Sequence, residues 1–401
     1  MSHPAVALGA PLSADPVRDA LIRPIVEGAV AFVLEGYGAE RLEAVILTGS
    51  LARGEGSVLL GRDRPRLLGD VEFLLILRPP YDWAAARRQT VELSGRATRE
   101  IGEGGRVASI EFTPAGLSYL RHSVRPCIFA YDLRAHGRVV HGRPNILAEI
   151  RPFGVQAIPG QDALELVMNR IVELLMLEAG VGGNGVDGDA RAYHLVKTVL
   201  DLAGSALAFA GRYVSRYAER QPAFDALLAS SPDLRAAIQD CAAFEKALDA
   251  ATRCKLGPTP ELLSGAAAPR RAAAVLAWAK GLWLWEARRL LARPAGGFED
   301  LLRGYLRLEP PLRRLRGWAK FCAHPLRPRG ALVPLRATRL LFRSSPRALV
   351  YASALLAHEG LAEGRPGWEE RAASLLPVSP RTGSEALGEI GAVWRWLIRN
   401  D

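Results

Sequence analysis

Strand-like and helix-like patterns are distributed unevenly along this chain, and that asymmetry restricts its fold more than any other feature. Apolar, β-branched runs bounded by turn residues occur only before residue 152, as expected for buried strands. From residue 160 to the end, apolar residues recur at helical spacing. At 401 residues the chain is also longer than a typical single domain. We therefore predict an α+β protein, with a small mixed-sheet domain at 1–152 and an all-helical domain at 160–401.

The first part of the chain predicts both helices and strands, in alternation. The predicted helices cover 16–36 and 82–100, and the predicted strands cover 43–50, 70–77 and 106–113. A hairpin is expected where 127–133 and 138–140 flank a turn-like segment. In the second part we predict helices over 161–179, 190–216, 222–252, 259–293, 298–320, 346–358 and 383–399.

Several classes of protein are disfavoured by the sequence. No stretch of eighteen apolar residues is free of charged or polar interruption, which argues against a membrane span. The opening residues lack a basic segment followed by an apolar run, which argues against a secretory signal. The four cysteines lie far apart without any CxxC pair, a pattern typical of reduced thiols. We expect a cytoplasmic protein.

The net charge of +10 is concentrated in one segment, residues 303–347, which we call the basic belt. The belt contains twelve basic residues against one acid, Glu309, and its excess of +11 accounts for the whole imbalance. Such a segment would hold an anionic partner. A solvated, arginine-rich helical face is the alternative interpretation, and it is favoured by the general excess of arginine over the chain's five lysines.

Two acids introduce one of the predicted strands. Asp70 and Glu72 are two residues apart, so their side chains project from the same face of a strand. An apolar run follows them to residue 77, and a third acid, Glu111, lies in the next predicted strand. If the two strands are neighbours, three carboxylates meet at one place. Hard divalent cations prefer oxygen ligands, and two such ions about 4 Å apart can catalyse phosphoryl transfer.

A Gly-Ser pair follows the first predicted strand, at positions 49 and 50. Gly49 would let a phosphate approach the backbone closely, and a following helix N-terminus would present N–H groups to the anion. The Ser50 hydroxyl would donate to terminal phosphates. Arg53, one turn further on, would reach the same group.

This order of strand, Gly-Ser, spacer, Asp-x-Glu and a later acid resembles the polymerase-beta-type nucleotidyltransferase superfamily, which includes the aminoglycoside and minimal nucleotidyltransferases. The resemblance covers roughly residues 20–150, and its motif residues are Gly49, Ser50, Asp70, Glu72 and Glu111. It implies an enzyme that transfers a nucleoside monophosphate from a nucleoside triphosphate with Mg²⁺ or Mn²⁺. In that family the paired acids hold the metals, and the third acid completes the site or accepts the proton of the acceptor.

The spacer departs from the family pattern. Nineteen residues separate Ser50 from Asp70, whereas family members commonly have fewer. We predict a short hairpin or loop extension between the two halves of the motif. The extension would narrow the choice of nucleotide or mark a relative that has lost turnover.

The helical part is expected to close over the nucleotide. Lys197 lies within an otherwise apolar helical segment, and related transferases grip the triphosphate with a basic residue from their helical domain. Lys197 is therefore a candidate nucleotide-binding residue, although a snorkelling lysine would show the same pattern. A polar and aromatic cluster between residues 212 and 220 would line the same cleft or simply end a helix.

Three functions compatible with this pattern remain open. The leading hypothesis is transfer of a nucleoside monophosphate, with AMP the first guess, to a hydroxyl of a small molecule or protein. The second is a catalytically inactive, nucleotide-binding regulatory or partner protein. The third is template-independent addition of nucleotides to RNA, with the basic belt as a track for phosphates. The sequence identifies neither the acceptor nor the base.

Overall fold

The structure is a computed structural model that describes residues 8–61, 64–102, 106–178, 188–266, 269–323, 334–364, 366–378 and 385–400. Its strands are β1 Leu42–Leu47, β2 Val58–Leu59, β3 Arg66–Leu67, β4 Val71–Leu77, β5 Ile110–Gly116 and β6 Arg138–Gly142. Its helices before residue 210 are α1 Pro16–Val33, α2 Gly49–Ala52, α3 Trp83–Ile101, α4 Ile128–His136, α5 Gly160–Glu178 and α6 Gly188–Phe209.

The later helices are α7 Tyr217–Ser230, α8 Pro232–Ala237, α9 Cys241–Leu256, α10 Pro260–Ala266, α11 Pro269–Leu290, α12 Phe298–Arg307, α13 Pro311–Ala323, α14 Pro334–Arg343, α15 Pro346–Glu363, α16 Trp368–Leu375 and α17 Ala386–Asn400. The strands thus lie in the first part of the chain and helices follow, which confirms the predicted α+β class.

Four strands form one mixed sheet in the order β5-β4-β1-β6. The central strand β4 is antiparallel to β1 and parallel to β5, and α3 makes the crossover between the two parallel strands. Helix α3 begins where the Asp82 carboxylate accepts hydrogen bonds from the Ala84 and Ala85 N–H groups. The sheet brings the ends of β4 and β5 that carry the acidic motif residues to the same edge.

Both faces of the sheet are covered by apolar side chains. Along β4, Val71, Phe73 and Leu75 belong to the core that also contains the buried residues of α1 and α3. The alternate residues Leu74 and Ile76 belong to a second core with Leu133 of α4. Strand alternation therefore assigns Glu72 to the α4 face, beyond the end of that core.

One predicted strand, 127–133, is wrong: residues 128–133 lie in a helix, α4, with Cys127 as its N-cap, and the predicted hairpin is absent there. The Cys127 sulfur accepts a hydrogen bond from the Ala130 N–H group, and Asp162 accepts one from the Ile128 N–H group. These two acceptors cap the helix start, and Ala130 and Leu133 are buried one turn apart. A short apolar run fits either period, so the capping contacts decide the outcome. The partner strand of the predicted hairpin forms as β6.

Two predicted long helices are divided by prolines. The helix predicted over 222–252 is three helices, since Pro232 begins α8 and a third begins at Cys241. The helix predicted over 298–320 breaks before Pro311, which begins α13. Proline is well accommodated in the first turn of a helix and disfavoured in its interior, so Pro232 and Pro311 each start a new helix, although Pro24 and Pro222 lie inside α1 and α7.

The predicted extension between Ser50 and Asp70 is confirmed as a two-stranded hairpin. Strands β2 and β3 are antiparallel, with Val58 opposite Leu67. Residues 62–63, in the connection between the two strands, lie outside the described residues.

The chain divides into two compact units by contacts. The first contains 1–162, 207–227 and 245–267, and the second contains 163–206, 228–244 and 268–401. This division differs from the predicted domains 1–152 and 160–401, because two helical segments of the second half belong to the first unit. In the described part of the chain, no helix is long and apolar enough to cross a membrane.

The core of the second unit contains a buried carboxyl group. Glu286 is fully buried, and Ser205 Oγ lies 2.7 Å from its Oε1 atom. The same hydroxyl is 2.7 Å from the Ala163 carbonyl oxygen. Burial raises the pKa of Glu286 to about 8, against a smaller opposite effect of the Ser205 hydrogen bond. The protonated carboxyl is thus the favoured form at neutral pH.

Candidate functional site

Two of the predicted metal-binding acids lie side by side in the sheet. Glu72 of β4 is directly opposite Glu111 of the parallel strand β5. Opposite residues of paired strands project from the same face, and both side chains are exposed. Their neighbours along the strands, Val71 and Ile110, are buried in the core of the other face. Each strand therefore anchors its acid at a fixed position while its carboxylate faces solvent.

Asp70 joins this pair through a serine that the sequence analysis did not identify. The Ser109 hydroxyl lies 2.9 Å from Asp70 Oδ1 and 3.4 Å from Glu111 Oε1. The Val71 N–H group also donates to the Ser109 carbonyl oxygen at 2.9 Å, which extends the β4–β5 pairing to the acids. Ser109 is thus placed to orient the carboxylates of two different strands.

Gly49 packs directly against the Glu72 carboxylate. Its φ of +67° lies in the left-handed region that favours glycine. A Cβ atom built at Gly49 would lie 2.3 Å from Glu72 Oε2, so no other residue fits without displacing the acid. The Thr48 N–H group fixes the approach by donating to the Glu72 carbonyl oxygen at 2.9 Å. Gly49 and Ser50 open α2, a single turn of four residues.

The side chains of this site are of the type that binds metal ions, but they do not form a ready-made coordination site. Three carboxylates that share one sheet edge repel each other and offer the oxygen ligands that Mg²⁺ and Mn²⁺ prefer. Nowhere in the described part of the chain, however, do three His, Cys, Asp or Glu side chains form a ready-made ligand cluster. Asp70, Glu72 and Glu111 therefore offer oxygen donors at one edge of the sheet, but they do not form a group of metal ligands in this structure.

Arg53 is engaged inside the first unit. Its guanidinium lies 3.1 Å from Glu55 and 2.9 Å from Asp132, and it stacks over the Tyr217 ring with 5.1 Å to the centroid. Burial alone would lower the pKa of Arg53, but the Tyr217 phenol, Asp132 and Glu55 together raise it. The guanidinium stays charged. Its contact with a triphosphate stays a prediction, and its visible contacts hold the α2 turn.

Asp132 collects hydrogen bonds from the segment that follows α6. In addition to Arg53, it accepts hydrogen bonds from the Tyr213 hydroxyl at 3.0 Å and the Ser215 hydroxyl at 2.6 Å. Burial raises the pKa of Tyr213, so its hydroxyl remains protonated and able to donate. The polar cluster at 212–220 thus fastens a later part of the chain to α4.

Glu55, just after the α2 turn, is held by the same segment. Its carboxylate accepts a hydrogen bond from the Tyr217 N–H group at 2.7 Å. The Tyr217 ring is also covered by the Arg220 guanidinium, 4.3 Å from its centroid. A buried network of charged and aromatic groups therefore surrounds the turn that begins with Gly49 and Ser50.

Lys197 belongs to the second unit, on α6. It is half-buried. Burial would raise the pKa of Glu173, but nearby cationic groups lower this pKa to about 2, with Arg170 the largest contributor and Lys197 one of the others. The structure therefore places Lys197 among the charged groups of α5 and α6. Its role toward a nucleotide stays a prediction.

The basic belt also lies in the second unit and includes α12, α13, α14 and the start of α15. Part of it, residues 324–333, lies outside the described residues. Its arginines differ in their contacts. Arg314 donates to the Glu309 and Arg307 carbonyl oxygens, whereas Arg347 lies 3.4 Å from the Glu165 carboxylate.

Comparison with known proteins does not assign a family. No protein-family model matches the chain, and no curated protein matches it significantly. The resemblance to nucleotidyltransferases therefore depends on the motif residues themselves.

Three functional or supporting residues were missed from the sequence. Ser109 was detectable in principle, because it stands two residues before Glu111 and thus on the same strand face. The role of Asp132 and the Tyr217 contact of Glu55 gave no local signal, since the residues that bind them from 213–217 are about 80 to 160 residues away in the chain.

Proposed function

We propose that this protein is a metal-dependent nucleotidyltransferase that moves a nucleoside monophosphate from a nucleoside triphosphate to a hydroxyl group. The observation that supports this most is the direct register of Glu72 and Glu111 on parallel strands, with Gly49 packed against Glu72. In this arrangement, a backbone turn that would accept a phosphate lies beside carboxylates that would attract a cation.

In the proposed reaction the acceptor oxygen forms a bond to the α-phosphorus, and the bond from that phosphorus to the bridging oxygen breaks. Pyrophosphate leaves. A bound divalent cation would supply charge neutralisation for the phosphates. Asp70 and Glu72 would hold it, Glu111 would accept the proton of the acceptor hydroxyl, and Ser109 would keep Asp70 and Glu111 oriented.

The turn at Gly49 and Ser50 would position the leaving pyrophosphate. Because Gly49 has no side chain, a phosphate can reach the backbone beside the Glu72 carboxylate. The Ser50 hydroxyl would donate to it, and the buried network around Arg53 and Glu55 keeps the turn rigid. A rigid turn would lower the entropic cost of aligning the triphosphate.

The test is pyrophosphate release and label transfer from α-phosphate-labelled ATP and the other nucleoside triphosphates, with Mg²⁺ or Mn²⁺. Acceptors would be aminoglycosides, simple polyols and the protein's own hydroxyl side chains. We expect Asp70→Asn, Glu72→Gln and Glu111→Gln to reduce turnover at least 100-fold. Glu100→Gln, which removes an exposed acid paired with Arg96 on α3, is the matched control and should retain activity.

A second function is favoured by one observation, the lack of a ready-made three-ligand cluster among the described residues. It would be a catalytically inactive, nucleotide-binding regulatory protein. Nucleoside triphosphate binding that depends on Asp70 and Glu72, without pyrophosphate release for any acceptor, would support it and would contradict the enzymatic proposal.

A further inference from the structure

A cavity of about 360 Å³ opens in the second unit, and the acidic residues of the sheet are not among its described lining residues. Its volume lies within the range of small-molecule sites. The cavity is bordered by one face of α13, the beginning of α15 and the end of α17. All three elements belong to the second unit.

One wall of the cavity is cationic. Arg313, Arg316 and Lys320 line it, and their spacing of three and four residues sets them on the same face of α13. Arg313 and Arg316 are exposed, and neither guanidinium forms an ion pair with any described residue. They differ in this from Arg347, which also lines the cavity but lies against Glu165.

The described residues that line the cavity carry a formal excess of positive charge. They include four cations (Arg313, Arg316, Lys320, Arg347) and two carboxylates, Glu165 and Glu309. A phosphate monoester carries between about −1.5 and −2 at neutral pH. The start of α15, an 18-residue helix whose first residues border the cavity, adds the positive end of a helix dipole. The two arginines without a described ion pair, Arg313 and Arg316, therefore provide a site that attracts a phosphate group.

Another part of the cavity lining, which we call the aromatic wall, consists of two ring side chains. The rings of Phe321 and Trp396 line the cavity and meet edge to face, with centroids 5.0 Å apart. Phe321 is buried and Trp396 half-buried, so part of the tryptophan side chain remains accessible to a ligand. A flat ring of a ligand would contact this wall while its phosphate meets the arginines.

From this combination we infer that the second unit binds a small molecule that carries one phosphate monoester and a planar ring, the chemistry of a mononucleotide. Residues Arg313 and Arg316 contact its phosphate, and Trp396 contacts its ring. A bidentate contact from a guanidinium suits phosphate oxygens better than a lysine would. The site is independent of the proposed catalytic carboxylates.

The test is calorimetric titration of the full-length protein with AMP in the presence of EDTA, which silences binding that requires a divalent cation. We expect a dissociation constant below about 1 mM. The same binding should persist in Asp70→Asn, so failure of the catalytic proposal and failure of this one are distinguishable. Absence of AMP binding to the wild-type protein at millimolar concentration would overturn the inference.

The contribution of each wall is measured separately. Arg313→Gln with Arg316→Gln should weaken AMP binding at least tenfold without unfolding, because both side chains are exposed. The matched control is Arg303→Gln with Arg343→Gln, two exposed arginines of the belt that do not line the cavity. An equal loss of AMP affinity in both double variants would show that the net positive charge of the belt attracts AMP without a defined binding site.

Ligand analogues test the aromatic wall without altering the core. Ribose 5-phosphate and adenosine should each bind at least tenfold more weakly than AMP. Ribose 5-phosphate that binds as tightly as AMP would remove the ring from the inference. Single-stranded RNA that binds far more tightly than AMP, with an equal loss in both double variants, would favour a polyanion track and overturn the small-molecule site.

Discussion

Replacing Gly49 by alanine tests the proposed site at its closest backbone contact. The added Cβ atom would lie 2.3 Å from Glu72 Oε2, and an ordinary contact begins at about 3.4 Å. The carboxylate must therefore move by about 1.1 Å, the difference of the two distances. Residue 49 also has a φ of +67°, which costs an alanine about 1–2 kcal/mol in the left-handed region.

The two consequences of Gly49→Ala have different sizes. The free energy of unfolding should fall by about 1–2 kcal/mol, mostly from the backbone strain. A displacement of about 1 Å at a reacting centre can reduce the rate about 100-fold. Activity should therefore fall much more than stability does.

A substitution at a second glycine separates the effect of backbone strain from the effect of the contact with the Glu72 carboxylate. Gly364, at the end of α15, has a φ of +60°, and a Cβ atom there would meet no atom within 4 Å. Gly364→Ala should therefore show a similar loss of stability and full activity. Urea unfolding and pyrophosphate release, measured on both variants, give the comparison. If Gly49→Ala keeps wild-type turnover, or if both variants lose activity equally, the assignment of Gly49 and Glu72 to one site is refuted.

Three further predictions follow from described contacts. Ser109→Ala removes the hydroxyl between two acids and should reduce turnover about tenfold. It should also raise the Mn²⁺ concentration needed for half-maximal activity, and an unchanged metal requirement would contradict the positioning role of Ser109. Asp132→Asn should lower the free energy of unfolding by about 1–3 kcal/mol. The control Asp249→Asn, which breaks an exposed ion pair on α9, should lower it by about 0.5 kcal/mol. Equal losses in urea unfolding would show that the hydrogen bonds to Asp132 do not stabilise the fold. Glu286→Gln concerns pH: because the folded-state pKa is raised from 4.5 to about 8, wild-type stability should decline as pH rises through that window, by about 1.4 kcal/mol per unit. The glutamine variant should lack this decline, so its stability relative to the wild-type protein should rise with pH across that window. Urea unfolding at several pH values measures this, and parallel pH profiles would refute the argument.

The fold class was predictable because periodicity changes sharply along the chain. The apolar runs at 43–47 and 71–77 form β1 and β4, since each is too short for a helix and is bounded by turn residues. The run at 127–133 gave the wrong prediction because its helix is decided by two capping acceptors, one of them Asp162, 34 residues later. Local pattern contains no information about such a partner.

The acidic residues of the candidate site were predictable for a related reason. Strand alternation sets Asp70 and Glu72 on one face from sequence alone, but only strand pairing establishes that Glu111 is opposite Glu72. The assignment of separate chain segments to the two compact units was not predictable. It depends on long-range contacts such as those of Asp132 with Tyr213 and Ser215, which no pattern near residue 132 indicates.

The hydrogen bonds of Glu55 and Asp132 have a consequence for how the protein is made. Arg53 donates to both acids, and further donors come from residues 213–217, which a ribosome adds long after the sheet has been synthesised. A nascent chain that ends near residue 152 already contains every strand of the described chain, yet it lacks these later donors to Glu55 and Asp132. Vectorial synthesis should therefore yield the sheet early and the finished turn late, and ribosome-bound chains on either side of residue 217 should differ in how well a protease cleaves near residue 50.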